Sequence, residues 1–216
     1  MLLPKTRLKL LAWIAGVAVA FCLGILLGHS DRLSRTLPDA HYLDRVSLFK
    51  QFGGADIVML GDSITEGADW ARMFPGVSIA NQGVSGDTTE GMLKRIELAR
   101  APKVFVMAGI NDLVRGVPVD RVLENVRQMI AALAGSEVYL VSTLHVADTG
   151  MYRFKVSEAE INLRVDSLND GLRAISQAHF VDLTDALPGR FAPDGLHLNG
   201  DGYAIWRSRI APYVAR

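Results

Sequence analysis

The residues with the clearest chemical potential are a serine and a histidine that lie far apart in the chain. Ser63 follows a short apolar run at residues 57–60 and a Gly-Asp pair. An apolar run of this length that ends in glycine is typical of a buried strand, so we expect Ser63 at a strand-to-helix turn. The unpaired backbone N–H groups and the dipole of a helix start favour a developing negative charge. This position suits a nucleophile.

A base for this serine lies near the end of the chain. His197 follows Asp194 by three residues. A serine hydroxyl is a weak nucleophile until a base removes its proton, and an imidazole can take that proton and return it to a leaving alcohol. Asp194 can hold the imidazole in the required tautomer and stabilise its charged form. These residue types predict acyl transfer through a Ser63-His197-Asp194 triad and an acyl-enzyme.

Two further segments combine glycine with amide and acidic residues. They are Asn81-Gln82-Gly83-Val84-Ser85-Gly86-Asp87 and Gly109-Ile110-Asn111-Asp112. Alone, such residues are common turn formers. With the Gly-Asp-Ser at Ser63 and the Asp-x-x-His, however, they complete four blocks in the order found in SGNH hydrolases, the GDSL esterase and lipase family. The chain resembles this family over roughly residues 55–213.

The resemblance implies roles for individual residues. The oxyanion of the reaction would be bound by the backbone N–H of Ser63, the backbone N–H of Gly83 and the side-chain amide of Asn111. The stretches at residues 81–89 and 194–203 are similar to the branch with lysophospholipase-like and platelet-activating-factor-acetylhydrolase-like enzymes. A short-acyl ester, a lysolipid or an acetylated glycan is therefore the expected substrate, and neither metal nor organic cofactor is expected.

Two alternatives use the same residues differently. A membrane-anchored O-acyltransferase would pass the acyl group to a sugar or alcohol instead of water. A non-catalytic binding module is the other, although such a module is expected to have lost Ser63 or His197, and both are present.

The elements that position these residues alternate along the chain. Strands are predicted near residues 56–60, 77–80, 103–108, 137–142 and 179–183, with helical patterns between them. This order predicts a three-layer α/β/α sandwich with a mainly parallel sheet, and the resemblance implies a five-stranded flavodoxin-like order of 2-1-3-4-5. Because each motif follows a strand, all four are expected at the carboxyl edge of the sheet, where ligands bind in such folds.

Composition narrows the remaining classes of function. The 216 residues include 23 basic and 23 acidic side chains, so no nucleic-acid partner is indicated. Cys22 is the single cysteine, which excludes a disulfide within the chain and a cysteine-based zinc site. No zinc-protease or phosphate-loop motif is present. The oligomeric state is not indicated.

The N-terminal segment predicts membrane attachment. Residues 1–7 form a short basic tail, and residues 8–28 are apolar apart from Lys9. As a helix, this run would be about 30 Å long, enough to span a bilayer. We expect a signal-anchor with the N-terminus cytoplasmic and the catalytic domain outside the cytoplasm, which is the periplasm if the source is a Gram-negative bacterium. A cleaved signal peptide and a buried core helix are the alternatives.

The rest of the chain divides into a linker with an amphipathic helix, residues 29–54, and the hydrolase domain, residues 55–216. Residues 143–156 are the longest predicted irregular stretch, and long loops in compact domains are often functional. We hypothesise that this loop, with His145 and the apolar cluster at 151–154, shapes the acyl or alcohol pocket; an exposed loop with a satisfied histidine is the alternative. Trp70 is expected to pack in the core rather than line a cleft.

Overall fold

The computed structural model of the protein describes residues 40–147, 149, 156–176, 179–184, 189 and 191–214. The chain divides into two units, Met1–Leu43 and Asp44–Arg216. The predicted tail and anchor, residues 1–28, and residues 29–39 of the predicted linker segment lie outside the described residues. Within the described ranges, no helix is long and apolar enough to cross a membrane.

Five parallel strands form one sheet in the described part of the chain. They are β1 Ile57–Gly61, β2 Ile79–Gly83, β3 Lys103–Met107, β4 Glu137–Val141 and β5 Phe180–Val181. Their order is β2-β1-β3-β4-β5, as the resemblance implied. Gly61 of β1 pairs with Gly83 of β2 on one side and with Met107 of β3 on the other, so these three strands end at the same level. Loops that follow these strands therefore meet at one edge.

Helices lie on both faces of this sheet and along its β2 edge. They are α1 Ala40–Phe52, α2 Ser63–Glu66, α3 Trp70–Met73, α4 Thr89–Lys94, α5 Ile110–Val114, α6 Val119–Ala132, α7 Glu158–Ile175 and α8 Gly200–Val214. Side chains of β1 alternate between two cores: Val58 and Leu60 pack with α6 and α7, whereas Ile57 and Met59 pack with α8. Two cores on opposite faces give the predicted three-layer sandwich.

Strand β2 differs most from the sequence prediction. The sequence pattern ends the second strand near residue 80, before a segment of turn-forming residues, but β2 continues to Gly83. The polar side chains here do not prevent strand pairing, because they find partners inside the fold. The Asn81 amide donates to the backbone carbonyls of Glu66 and Ala68 at 3.0 and 3.2 Å.

Two short helices, α3 and α5, are not predicted by the sequence pattern, whereas the helix expected to begin at Ser63 is present as α2. Each has four or five residues, about one turn, which is too short for a hydrophobic period to show. The predicted packing role of Trp70 in α3 is confirmed. Trp70 is buried and meets Trp206 of α8 edge to face, with ring centroids 5.0 Å apart.

Helix α1 packs through one aromatic residue. Of its predicted apolar positions, Phe49 is 6% exposed, whereas Phe52 is 74% exposed. The amphipathic pattern therefore correctly predicts a helix, but it overstates the width of the buried face.

Candidate active site

The end of β1 places Ser63 at the sheet edge. Asp62 caps α2, because its Oδ1 accepts the N–H of Ile64 at 3.0 Å. A Cβ on Gly61 would lie 2.0 Å from Thr65 Oγ1, so α2 packs directly on the last residue of the strand. Only glycine permits this approach. Ser63 is thus the first residue of a helix that is fixed closely to the sheet.

Ser63, His197 and Asp194 form a continuous hydrogen-bonded chain. Ser63 Oγ lies 2.8 Å from His197 Nε2, and His197 Nδ1 lies 2.6 Å from Asp194 Oδ2. The serine and the histidine are 134 positions apart in the chain. The structure therefore brings together the three residues predicted as a triad.

The environment of Asp194 favours its charged form. Burial raises the pKa of this carboxyl group, but hydrogen bonds from the His197 ring and from the N–H groups of His197 and Leu196 outweigh burial and hold the pKa at about 2. An ionised carboxylate only accepts hydrogen bonds, so His197 Nδ1 donates to it. In the neutral ring, Nε2 is then the acceptor for the Ser63 hydroxyl.

The loop that carries His197 is fastened by its own backbone. Ala192 N–H donates to the His197 carbonyl at 2.7 Å, and Gly195 N–H donates to the Ala192 carbonyl at 3.0 Å. The loop after β4 adds a bond from Ala147 N–H to the Gly195 carbonyl at 2.7 Å. These bonds hold the imidazole in place independently of the serine.

Asn111 lies beside the serine turn. Its Nδ2 is 3.4 Å from Asp62 Oδ2, so its amide is next to the residue that precedes Ser63. The following residue, Asp112, is buried and accepts hydrogen bonds from the Thr89 N–H at 2.9 Å and the Thr89 hydroxyl at 2.7 Å. Helix α5, which bears Asn111, is therefore anchored to the start of α4.

The geometry at Gly83 does not support its predicted role as an oxyanion donor. Gly83 is buried as the last residue of β2, and its N–H donates to Asn81 Oδ1 at 2.9 Å. An N–H that already has an acceptor inside the fold is not available to a substrate oxygen. The sequence could not show this, because it depends on the direction of one asparagine side chain.

Gly86 is the residue of this segment whose backbone N–H stays available to a substrate oxygen. The neighbouring backbone N–H groups donate within the fold. The Val84 N–H donates to the Gly61 carbonyl at 3.1 Å, and the Asp87 N–H donates to the Val84 carbonyl at 3.1 Å. The Ser85 N–H donates to Glu66 Oε2 at 2.6 Å, and the Thr88 N–H donates to Asp87 Oδ1 at 2.9 Å. For the Gly86 N–H, no acceptor is present among the described residues. Gly86 has a φ of +72° in the turn from Val84 to Asp87, a conformation that favours glycine.

Two buried charged residues near Ser63 are not identified by the sequence pattern. Asp62 is fully buried, and burial raises its pKa to about 7, although the Ile64 N–H and the nearby His197 lower it. Arg95, equally buried, donates to the carbonyls of Gly61 at 3.1 Å and Gln82 at 3.0 Å and to Asp87 at 2.9 Å. Arg95 thus ties together the ends of β1 and β2, which no sequence pattern indicates.

The hypothesis for the loop after β4 stays a prediction. His145 Nε2 lies 2.7 Å from Asp166 Oδ1 on α7, and the cluster at 151–154 lies outside the described residues. In the portion of the chain that is described, no group of three or more His, Cys, Asp or Glu side chains is placed to hold a metal.

Residues 59–205 match the GDSL-like lipase/acylhydrolase family. The chain belongs to this family. Membership in this family makes the protein a serine ester hydrolase. Support for the lysophospholipase-like and platelet-activating-factor-acetylhydrolase-like branch is looser. A search of curated proteins finds no match to the chain.

Solved structures with the same fold come from several bacteria. A GDSL-like lipase from Bacteroides thetaiotaomicron has a TM-score of 0.67 at 23% identity and covers 82% of this chain and 98% of its own. A lipase/acylhydrolase from Enterococcus faecalis has a TM-score of 0.60 at 26% identity, with coverages of 73% and 94%. A catalytic mutant of an acetylxylan esterase from Geobacillus stearothermophilus has a TM-score of 0.61 at 18% identity, with coverages of 74% and 94%.

Proposed function

We propose that this hydrolase cleaves carboxylic esters through a Ser63-His197-Asp194 triad and an acyl-enzyme. The observation that carries the proposal is the chain of hydrogen bonds from Ser63 Oγ to His197 Nε2, at 2.8 Å, and from His197 Nδ1 to Asp194, at 2.6 Å. Both distances are within reach for proton transfer. The low pKa of Asp194 keeps this carboxylate charged at neutral pH.

The reaction proceeds in two halves. His197 Nε2 takes the hydroxyl proton as Ser63 Oγ bonds to the ester carbonyl carbon, and Asp194 stabilises the resulting imidazolium. Collapse of the tetrahedral intermediate breaks the bond to the alcohol, which leaves with the proton from His197. A water molecule then attacks the acyl-enzyme with the same base, and release of the acid restores the Ser63 hydroxyl.

The oxyanion hole of this proposal has three donors. Ser63 contributes its backbone N–H at the start of α2, and Asn111 contributes its side-chain amide. Gly86 replaces Gly83 as the third donor, because the Gly83 N–H is bonded to Asn81. In an NMR spectrum of the protein phosphonylated at Ser63, the amide proton of Gly86 should move downfield and that of Gly83 should not. The reverse pattern would restore Gly83 to this role.

The substrate class in the proposal is an ester of a short acyl group. An acetylxylan esterase among the structural neighbours supports acetylated glycans, although its identity of 18% makes it a likeness of fold alone. Lysolipids remain within the proposal. The proposal includes tethering through residues 8–28 with the catalytic domain outside the cytoplasm, and it rests there on the apolar sequence only.

Hydrolysis of p-nitrophenyl esters from acetate to palmitate tests this function. The full chain and its Ser63→Ala variant would be compared at each chain length. Activity that requires Ser63 and peaks at acetate supports deacetylation, and a peak at long chains supports lysolipids. If no ester is cleaved in a manner that depends on Ser63, the proposed mechanism is wrong.

A further inference from the structure

Helix α1 contacts the strand that leads to the proposed oxyanion loop. It lies before residues 59–205, the part of the chain that matches the family. Arg45 of this helix donates to the Gly83 carbonyl through Nε at 3.2 Å and Nη2 at 3.0 Å, and Nη2 also lies 3.2 Å from the Asn81 carbonyl. Strand β2 is at the edge of the sheet, so among the described residues no further strand donates to its outer carbonyl groups. Arg45 supplies donors to two of the carbonyls of this strand.

The same guanidinium reaches a carboxylate that holds the oxyanion loop. Arg45 Nε lies 3.4 Å from Glu66 Oε1, and the other oxygen of Glu66 accepts the Ser85 N–H at 2.6 Å. Both charged side chains are about one-fifth exposed. Glu66 is the last residue of α2, the helix that Ser63 begins. A path of hydrogen bonds and one ion pair therefore runs from Arg45 to the residue before Gly86.

Phe49 fixes α1 in this position. The guanidinium group of Arg45 lies 5.0 Å from the centroid of the Phe49 ring, and the guanidinium group of Arg95 lies 5.4 Å from it. Cation–π contacts of this kind are favourable, more so when they are removed from water. Phe49 is 6% exposed, so this anchor is buried. The arginine of α1 and the buried arginine behind β1 and β2 are thus held through one aromatic ring.

We propose that Arg45 is a positioning residue that acts through Glu66 to hold the Ser85-Gly86 turn in its catalytic conformation. The inference rests on the proposed function, since it assumes that the Gly86 N–H binds the oxyanion. Charge-assisted bonds are shorter and stronger than neutral ones, and the turn has two of them: the Ser85 N–H donates to Glu66 at 2.6 Å, and Arg115 Nη2 donates to the Gly86 carbonyl at 2.8 Å. Without Arg45 the Glu66 carboxylate loses a charged partner, and the Ser85 N–H loses an acceptor that is held in place. The oxyanion donor would then be misplaced in the transition state, with little effect on ground-state binding.

The test compares Arg45→Met, Arg45→Lys and Glu66→Gln in the full chain. Arg72→Met is the matched control, because the Arg72 side chain is 89% exposed and pairs with Asp69, three residues earlier. Arg45→Met is expected to lower kcat about tenfold with KM changed less than about twofold, since displacements well below 1 Å already matter in such sites. Binding of a phosphonate transition-state analogue should weaken in proportion. Arg45→Lys should recover only part of the lost kcat and analogue affinity, because an ammonium group cannot bind two carbonyls and a carboxylate at once as the planar guanidinium group does.

A double-mutant cycle separates this path from simple fastening of α1. If Arg45 acts through Glu66, the Arg45→Met/Glu66→Gln pair should lose little more kcat than Arg45→Met alone. Amide hydrogen exchange at Ser85 should accelerate in Arg45→Met and stay as in the wild type in Arg72→Met. Should Arg45→Met fail to fold, Glu66→Gln and Arg45→Lys carry the same comparisons.

The outcomes distinguish this inference from the function on which it rests. Wild-type activity that depends on Ser63, together with an unchanged kcat in a folded Arg45→Met variant, overturns the role of Arg45 alone. A lower unfolding temperature with unchanged kcat and analogue affinity also overturns that role, because Arg45 would then only stabilise α1. No Ser63-dependent turnover in the wild type overturns the proposed function and with it the catalytic role of the turn.

Discussion

Replacing Gly61 by alanine tests whether close packing of α2 on β1 positions the nucleophile. A Cβ at this residue would lie 2.0 Å from Thr65 Oγ1, 2.7 Å from Thr65 Cβ and 2.8 Å from the Met107 carbonyl oxygen. Rotation of the threonine side chain can relieve only the first contact. The second involves an atom fixed to the backbone of α2, and the third is backbone of β3, so the main chain must move.

The size of that movement follows from the distances. Ordinary contacts to a Cβ begin near 3.4 Å, so the 2.7 Å approach to Thr65 Cβ requires a displacement of about 0.7 Å. Ser63 is the first residue of the same four-residue helix and moves with it. Its Oγ is 2.8 Å from His197 Nε2, and such a shift is enough to weaken that hydrogen bond. Misplacement by about 1 Å can cost about 10² in rate, and overpacking costs about 1–3 kcal/mol in stability.

We therefore expect Gly61→Ala to lower kcat by roughly 10–100-fold while the protein still folds. Ester hydrolysis and thermal unfolding would be measured on the same preparations. Gly54→Ala is the matched control, because a Cβ there meets no heavy atom within 4 Å. Adding Thr65→Ala to Gly61→Ala removes only the 2.0 Å contact and should restore little. A Gly61→Ala protein with kcat within about twofold of the wild type would refute the claim that this contact positions Ser63.

Three other predictions concern polar residues of the site. Asn111→Ala should lower kcat by about 10²–10³ and leave KM nearly unchanged, as steady-state kinetics can show; a change in KM alone would remove Asn111 from the oxyanion hole. Asp194→Asn should lower kcat by about 10⁴ by favouring the wrong His197 tautomer, and normal turnover in this variant would contradict the triad. In urea unfolding at several pH values, the stability contributed by Asp194 should rise with pH, whereas that contributed by Asp62 should fall. The folded-state pKa of Asp194, about 2, is below the ordinary 3.8, so its stabilisation relative to Asp194→Asn is complete above about pH 4 and is lost as the pH falls towards 2. The folded-state pKa of Asp62, about 7, is above 3.8, so the wild type should lose stability relative to Asp62→Asn as the pH rises from about 4 to 7. Parallel pH profiles for wild type and variant would refute either assignment.

The sequence predicts the parts of this fold that depend on regular hydrophobic patterns. The apolar runs of β1 and β3 are buried on both faces and are recognisable as strands. Helix α6 accounts for the helical pattern predicted between the third and fourth strands, because its buried side chains recur with a helical period. The polar end of β2 and the one-turn helices α3 and α5 are missed, since none of them has such a pattern. The roles proposed for Ser63, His197 and Asp194 rest on residue types together with the rule that strand ends share an edge.

The sequence alone does not identify which glycine N–H is the proposed oxyanion donor. Gly83 and Gly86 lie three residues apart in one polar segment, and both permit a tight turn. What distinguishes them is whether the N–H has an acceptor inside the fold, and that depends on the Asn81 side chain, which bonds to the Gly83 N–H at 2.9 Å. Arg45 contacts the carbonyls of Asn81 and Gly83 and also Glu66, which accepts the Ser85 N–H, so one side chain links the strand end at Gly83 to the turn proposed to present Gly86. A donor of this kind is specified by contacts between segments, so it can be assigned only after the fold has brought them together.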